Sequence, residues 1–195
     1  MINRDRIVFF NIAWMKQYSG DWINDVPVNG GSFIKDFHWG GEVYNFQPYN
    51  GMMYGYVEPG LVEKNGRQRN IDVSRLPRRP GALNNPSSVS EVLVVWVATP
   101  KGGTAPLVVG WYKDATLFRS AQIPPAGSIR TLPRHDHPGE YFASAREQDC
   151  VLISPEERAL QLPRKGEGFG HSNLWYAQTA AGEFVKDSVL TYIQR

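Results

Sequence analysis

The sequence predicts an α+β fold: a single domain over residues 1–195, built on a curved mixed sheet or partial β-barrel flanked by a few short helices. Three observations predict it. Apolar runs of strand length recur, chiefly SEVLVVWVATP at 90–100 and LVVGWYKDATLFR at 107–119. Glycine (19) and proline (14) break the chain at short intervals, as turns between strands require. Helical periodicity is confined to short segments. A chain of 195 residues can enclose a core, and no internal repeat, low-complexity tract or linker divides it.

In chain order, RIVFFNIAW (6–14) reads as the first strand. MKQYSG (15–20) reads as a short helix stopped by Gly20. Residues 19–60 read as loops and short strands around GGEVYNFQPYNGMMYGYVEPG. The unbroken apolar run at 90–100 fits a strand buried on both faces. TPKGGTAP (99–106) is turn chemistry, so 107–119 returns as its hairpin partner. SPEERALQL (154–162) reads as a helix capped by Ser154, with Pro155 in its first turn, Glu157 three residues after the cap, and Pro163 ending it. In EFVKDSVLTYI (183–193), Phe184, Val185, Val189, Tyr192 and Ile193 recur at near-helical spacing, which predicts a terminal helix on the sheet.

Composition excludes several function classes. The single cysteine, Cys150, excludes an internal disulfide and a cysteine-built metal site. It lies in the apolar run QDCVLIS and reads as a small core residue rather than an activated thiolate. No stretch reaches the roughly 18 apolar residues of a membrane helix, and MINRDRIVFF lacks the apolar region of a signal peptide. The expectation is a soluble, cytoplasmic protein with no membrane partner. No G-x-S-x-G, P-loop or G-x-G-x-x-G is present, so no catalytic residue and no cofactor are assigned.

Charge is uneven. Residues 64–134 hold 11 basic and 3 acidic side chains, while the flanking thirds are each net −3. The densest part, KNGRQRNIDVSRLPRR (64–79), carries six cations and one acid. Such a block attracts a polyanion, or else is a loop kept soluble by its charge. Lys64, Arg67, Arg69, Arg75, Arg78 and Arg79, with Lys113 and Arg119, are the candidate nucleic-acid backbone contacts.

RHDHPGEY (134–141) offers His135 and His137, an H-x-H pair that on a strand would face one side and chelate a metal. Pro133, Pro138 and Gly139 make the segment a turn, so a polar loop is its default reading. A small metal-dependent nuclease or hydrolase centred on His135, His137 and His171 is one alternative for the chain. A protein-interaction module with an aromatic docking surface is another.

The most distinctive signal is aromatic. Trp22, Trp39, Tyr44 and Tyr49 lie in Gly/Asn-rich, loop-like sequence, whereas Trp96 and Trp14 read as core. On one reading, the loop rings pin long loops. On the other, they stack a flat ligand such as a flipped base, at about 1–3 kcal/mol per base, with Asp21, Asn45 and Asn173 reading its edge. On a strand, Trp111 and Lys113 face one side and Tyr112 the other, so a ring and a cation share a face.

The segments IVFFNIAWMKQYSG, GGEVYNF, YGYV, VLVVWVATPKGGTAPLVVGWYKDATLFR and GFGHSNLWYA together resemble an N-terminal domain of bacterial modification-dependent restriction endonucleases. That domain is similar to the PUA-like readers of modified bases, a superfamily that includes SRA, YTH and EVE domains. The resemblance spans residues 6–193. It implies a PUA-like curved sheet or barrel that takes a modified base, such as 5-methylcytosine or 5-hydroxymethylcytosine, out of double-stranded DNA into an aromatic pocket. The pocket candidates are Asp21, Trp22, Trp39, Tyr44, Asn45, Trp111, Tyr112, Asn173 and Trp175. The resemblance also implies a role in phage defence, with cleavage by an HNH-type nuclease domain or subunit outside these residues, because no HNH motif follows residue 193.

Overall fold

The computed structural model describes residues 2–29, 40–60, 70–77, 86–130, 139–164, 168, 170 and 172–194. Seven strands form one open sheet: β1 (Ile7–Ile12), β2 (Met52–Gly55), β3 (Ser88–Ala98), β4 (Leu107–Gln122), β5 (Tyr141–Arg146), β6 (Cys150–Leu152) and β7 (Leu174–Trp175). Their order is β2-β5-β4-β3-β1-β7, and β6 also pairs with β4. The sheet is mixed, because β1 runs parallel to β3 while the other pairs are antiparallel. Among the described residues the one α-helix is α1 (Ala180–Ile193). The chain is thus a mixed α+β protein with an unclosed sheet.

The predicted hairpin is present and forms the spine. β3 and β4 pair from Ser88↔Phe118 to Ala98↔Leu107. The pairing slips around Ser90–Glu91 and again around Lys113–Asp114, where Glu91 (φ 58°) and Asp114 (φ 50°) take left-handed backbone. Such bulges bend and twist a long strand. β4, 16 residues long, consequently serves β6 with its first half and β5 with its second.

Side-chain alternation divides the core in two. Val8, Phe10, Val94, Trp96 and Tyr112 face one side, and Ile7, Phe9, Val95, Val97 and Trp111 the other. α1 covers the second side with Val189 and Ile193, four residues apart on one helical face. Phe184, predicted to join that face, points outward at 74% exposure. The first side is covered by loop-like sequence, including Tyr18, Val43, Tyr44, Phe46, Ile71 and Leu76.

This second layer explains why rings recur beside glycines. At Gly110 an added Cβ would lie 2.4 Å from Val151 O and 2.6 Å from Phe46 Cζ, and at Gly55 it would lie 2.4 Å from Trp96 Cζ2. Those strands carry glycine because an aromatic ring, joined at Gly110 by the backbone of Val151, occupies the side-chain space.

Two predicted helices are not formed. Residues 15–20 follow an irregular path in which Tyr18 adopts φ 52°. The Asp25 carboxylate fixes that path by accepting from the backbone N–H of Lys16, Gln17 and Tyr18. At 154–162 only a single 3-10 turn forms, Pro155–Glu157. Ser154 Oγ donates to the Glu157 carboxylate rather than accepting from the turn's backbone. The chain then returns to extended structure because Gln161 bridges to Leu107 at the start of β4.

Buried arginines knit the loops to the sheet. Arg130, 2% exposed, donates to the carbonyls of Gly139, Tyr44, Tyr54, Gly41 and Glu140. Arg158 donates to Ile153, Met15 and Lys16 and lies 4.6 Å over the Trp14 ring.

Candidate nucleic-acid interface

The short strand β7 forms one edge of the sheet, with Leu174 and Trp175 opposite Phe10 and Phe9. Alternation turns the next ring, Tyr176, toward the loop-covered side, where its hydroxyl donates to Asp72 O at 2.9 Å. Asp72 caps the 3-10 turn Val73–Arg75 by accepting from Ser74 N. That turn delivers the exposed Arg75 guanidinium 4.3 Å above the Tyr176 ring. Gln178 then holds it: Arg75 Nε and Nη2 donate to Gln178 Oε1, and Gln178 Nε2 donates to Arg75 O.

Arg119 belongs to the same patch. Its carbonyl accepts from Ile71 N at 2.8 Å, and its Nε donates to Pro86 O at 3.1 Å. Burial pushes the Tyr176 phenol above its ordinary value; Asp72 adds to this, and the positive charges of Arg75 and Arg119 oppose it. A guanidinium held over a ring and braced by an amide loses little freedom when it meets an anion.

The other end of β7 is acidic. Asn173 O accepts from Asn11 N, and Asn173 Nδ2 donates to Glu58 O at 3.1 Å. The Glu58 carboxylate accepts from Tyr56 OH at 2.7 Å, and the Tyr56 ring lies against Gly41. Next to Gly41, Glu42 accepts from Ala13 N at 2.9 Å. Burial pushes the Glu42 carboxyl up to about 7; the Ala13 N–H opposes the rise and the Glu58 charge adds to it. Burial likewise raises Glu58 above the usual carboxylate range. From Asn173 to Tyr176 is three residues, about 10 Å of extended chain, so a carboxyl cluster and a braced arginine share one sheet edge.

The eight pocket candidates among the described residues do not lie on one side of the sheet. Tyr44, Asn45 and Tyr112 meet on the loop-covered side, where Trp22 also packs. Asn45 is fully buried, its amide exchanging hydrogen bonds with the main chain of Tyr56, while Tyr112 OH donates to Asn45 O. These groups fasten the loop layer to β4, which corrects the expectation that Asn45 rims an open pocket. Trp111 and Trp175 face the opposite side, among the residues under α1. Lys113 shares that side, 5.9 Å above the Trp111 ring, as strand alternation predicts. Asp21 is exposed and accepts from the backbone and side-chain N–H of Asn24, a local turn contact. Asn173 immediately precedes β7, where its side chain donates to Glu58 O.

Trp39, His135, His137, His171, Lys64, Arg67, Arg69, Arg78 and Arg79 lie outside the described residues. Among the described residues no group of three His, Cys, Asp or Glu side chains is arranged to hold a metal ion, and no helix is long and apolar enough to cross a membrane. The Cys150 thiol, half-buried and donating to Arg146 O, is pushed up to about 12 by burial and by Asp149 and Glu147. It is not a thiolate at neutral pH.

Sequence reasoning missed Tyr176, Gln178, Glu42 and Glu58. Strand parity after Trp175 was the available signal for Tyr176. Nothing local marks Gln178 as the brace of a residue 103 positions away. No family model matches the chain, and no curated protein or solved structure matches it.

Proposed function

We propose that this chain is a PUA-like DNA-reading domain. It takes a modified cytosine, 5-methylcytosine or 5-hydroxymethylcytosine, out of double-stranded DNA and directs an HNH-type nuclease outside these residues to modified phage DNA. The observation that carries the reading is Arg75, braced on Tyr176 by Gln178 beside Arg119, in the third of the chain with 11 basic and 3 acidic side chains. A pre-set guanidinium matches a phosphate oxygen pair, and phosphate contacts set the register of a protein on a duplex. The displaced base is read about 10 Å along the same edge, where Asn173, Glu42 and Glu58 supply hydrogen-bonding groups. A carboxyl there accepts from the N4 amino group of cytosine.

The test is fluorescence anisotropy on matched duplexes carrying cytosine, 5-methylcytosine or 5-hydroxymethylcytosine across a salt series. The parent should prefer a modified duplex. Arg75→Ala and Arg119→Ala should each weaken binding to every duplex alike and reduce the slope of log K against log salt by about one. A parent protein that binds no duplex, or whose affinity ignores both arginines, overturns the reading.

A further inference from the structure

We infer that this protein self-associates as a two-fold symmetric dimer through the outer face of β2, β5 and the second half of β4, together with the turn from Ile123 to Ile129. The inference is independent of the DNA-reading function proposed above. It starts from a part of the sheet that α1 does not cover. Met53, Ala115, Leu117, Ala143 and Ala145 point to the loop-covered side. Alternation therefore turns Tyr54, Thr116, Phe118 and Ser144 to the opposite face. α1 lies on that face too, but among the described residues the sheet positions packed there come from β1, β3, β7 and β4 as far as Trp111, and none comes from β5 or β2.

Three rings join up there, outside both core clusters. The Tyr54 and Tyr141 centroids are 4.9 Å apart and those of Tyr141 and Phe118 5.7 Å apart, both pairs edge to face. Thr116, Ser144 and Tyr54 share one rung across β4, β5 and β2. The turn continues this strip. It leaves the sheet at Gln122, which pairs with Tyr141, and Tyr49, bridged to Met52 at the start of β2, donates its hydroxyl to Ala126 O at 3.0 Å. Gly127 has φ +86°, and a Cβ there would lie 2.7 Å from the Tyr49 hydroxyl, so only glycine allows that brace. Ile123 is 71% exposed and Ile129 63% exposed at the two ends of the turn. A single exposed isoleucine is ordinary on a protein surface, but these two stand on a rigid turn beside three rings.

Charge identifies the occupant. No residue from Ser120 to Ile129 is charged, in a chain of which 21% is. At the far edge of the face, Arg146 is paired with Asp149 at 2.6 Å and lies 3.9 Å from Asp114, so charge cancels within the chain. Arg130, at the foot of the turn, spends its guanidinium on backbone carbonyls. A nucleic acid or a strongly charged protein finds no counter-charge on such a surface. A second copy of this chain needs none. A two-fold contact sets the same patch against itself, so net charge there would repel its own copy, and a neutral apolar patch is what the symmetry requires. Tyrosine and phenylalanine with few charges are also the composition of an interface core. Strands and a braced turn hold these groups in place, which lowers the cost of ordering them on association.

Sedimentation velocity over a range of protein concentrations is the test. The parent should pass from one chain to two as concentration rises, and added salt should leave the dimer intact because the contact is apolar. Ile123→Asp/Ile129→Asp should raise the dimer Kd at least about tenfold with Tm unchanged, since it sets like charges against each other. Ile123→Ser/Ile129→Ser, which adds no charge, should move Kd in the same direction. Ile123→Val/Ile129→Val should keep most of the affinity. A parent that stays a single chain at every concentration overturns the inference. So does a dimer that dissociates on adding salt, or one that the serine variant forms as tightly as the parent.

Discussion

Glu42 illustrates how one side chain links fold and chemistry at the scale of the residue. Its carboxylate accepts from Ala13 N just beyond β1, and its burial raises its proton affinity from an ordinary 4.5 to about 7. Below 4.5 both the folded and the unfolded chain hold the proton. Between 4.5 and about 7 only the folded chain holds it, so stability falls as pH rises through that window and then levels off. Glu42→Gln preserves an acceptor for Ala13 N and removes the charge. Urea unfolding at pH 5 and pH 8 should show a shallower pH dependence for the variant, which gains up to about 3 kcal/mol over the parent at pH 8. Equal losses at both pH values would mean that the carboxyl is ionised throughout.

At the scale of the element, the two helical segments part company for a reason visible at their starts. Thr179 caps α1 by accepting from Gly182 N at 3.1 Å, and the helix then buries Gly182, Lys186, Val189 and Ile193 on one face. Lys186 is paired with Glu183, which is itself bound by Arg4 together with Asp187. Ser154 has the residue type of a cap, but its hydroxyl donates to Glu157 and no helix follows. Thr179→Ala should therefore cost about 1 kcal/mol, while Ser154→Ala should cost less than about 0.5 kcal/mol. Thermal unfolding of the two variants side by side checks the difference. The capping residues at 154–157 start only a single 3-10 turn, and the chain beyond it is extended and bridged to β4. Tertiary pairing outweighed a local preference worth only tenths of a kcal/mol per residue.

The whole molecule is a sheet with two different covers. One face carries α1, and the other carries the glycine- and aromatic-rich loops tied down by Arg130 and Arg158. Residues of opposite parity on β4 therefore belong to different halves of the protein. Trp111 is 8% exposed beneath the helix-side cover, away from the arginines of the β7 edge. Trp111→Ala should cost about 3–5 kcal/mol, read as a lowered Tm, and leave the ratio of affinities for modified and plain duplexes unchanged. A changed ratio would place the nucleic acid on the helix side of the sheet.

By itself the sequence determined the β3–β4 hairpin, the buried strand with Trp96 at its centre, the terminal helix, and the shared face of Trp111 and Lys113. These depend on periods of 2.0 and 3.6 residues and on turn chemistry, all local properties of the chain. It also located the basic third, because charge is a sum over residues. Only the tertiary structure decided which of the rings in glycine-rich sequence are core. Such an aromatic reads the same whether it stacks a ligand or covers a sheet, and the deciding neighbour is remote: Phe46 on Gly110, Asn45 on Tyr56 and Tyr112. The same holds for the β7 edge. Arg75 meets Gln178 across 103 residues, and Asn173 meets Glu58 across 115, because a short strand beside β1 brings the end of the chain against its middle. No local pattern carries such contacts, since sheet pairing fixes them only once the chain has folded.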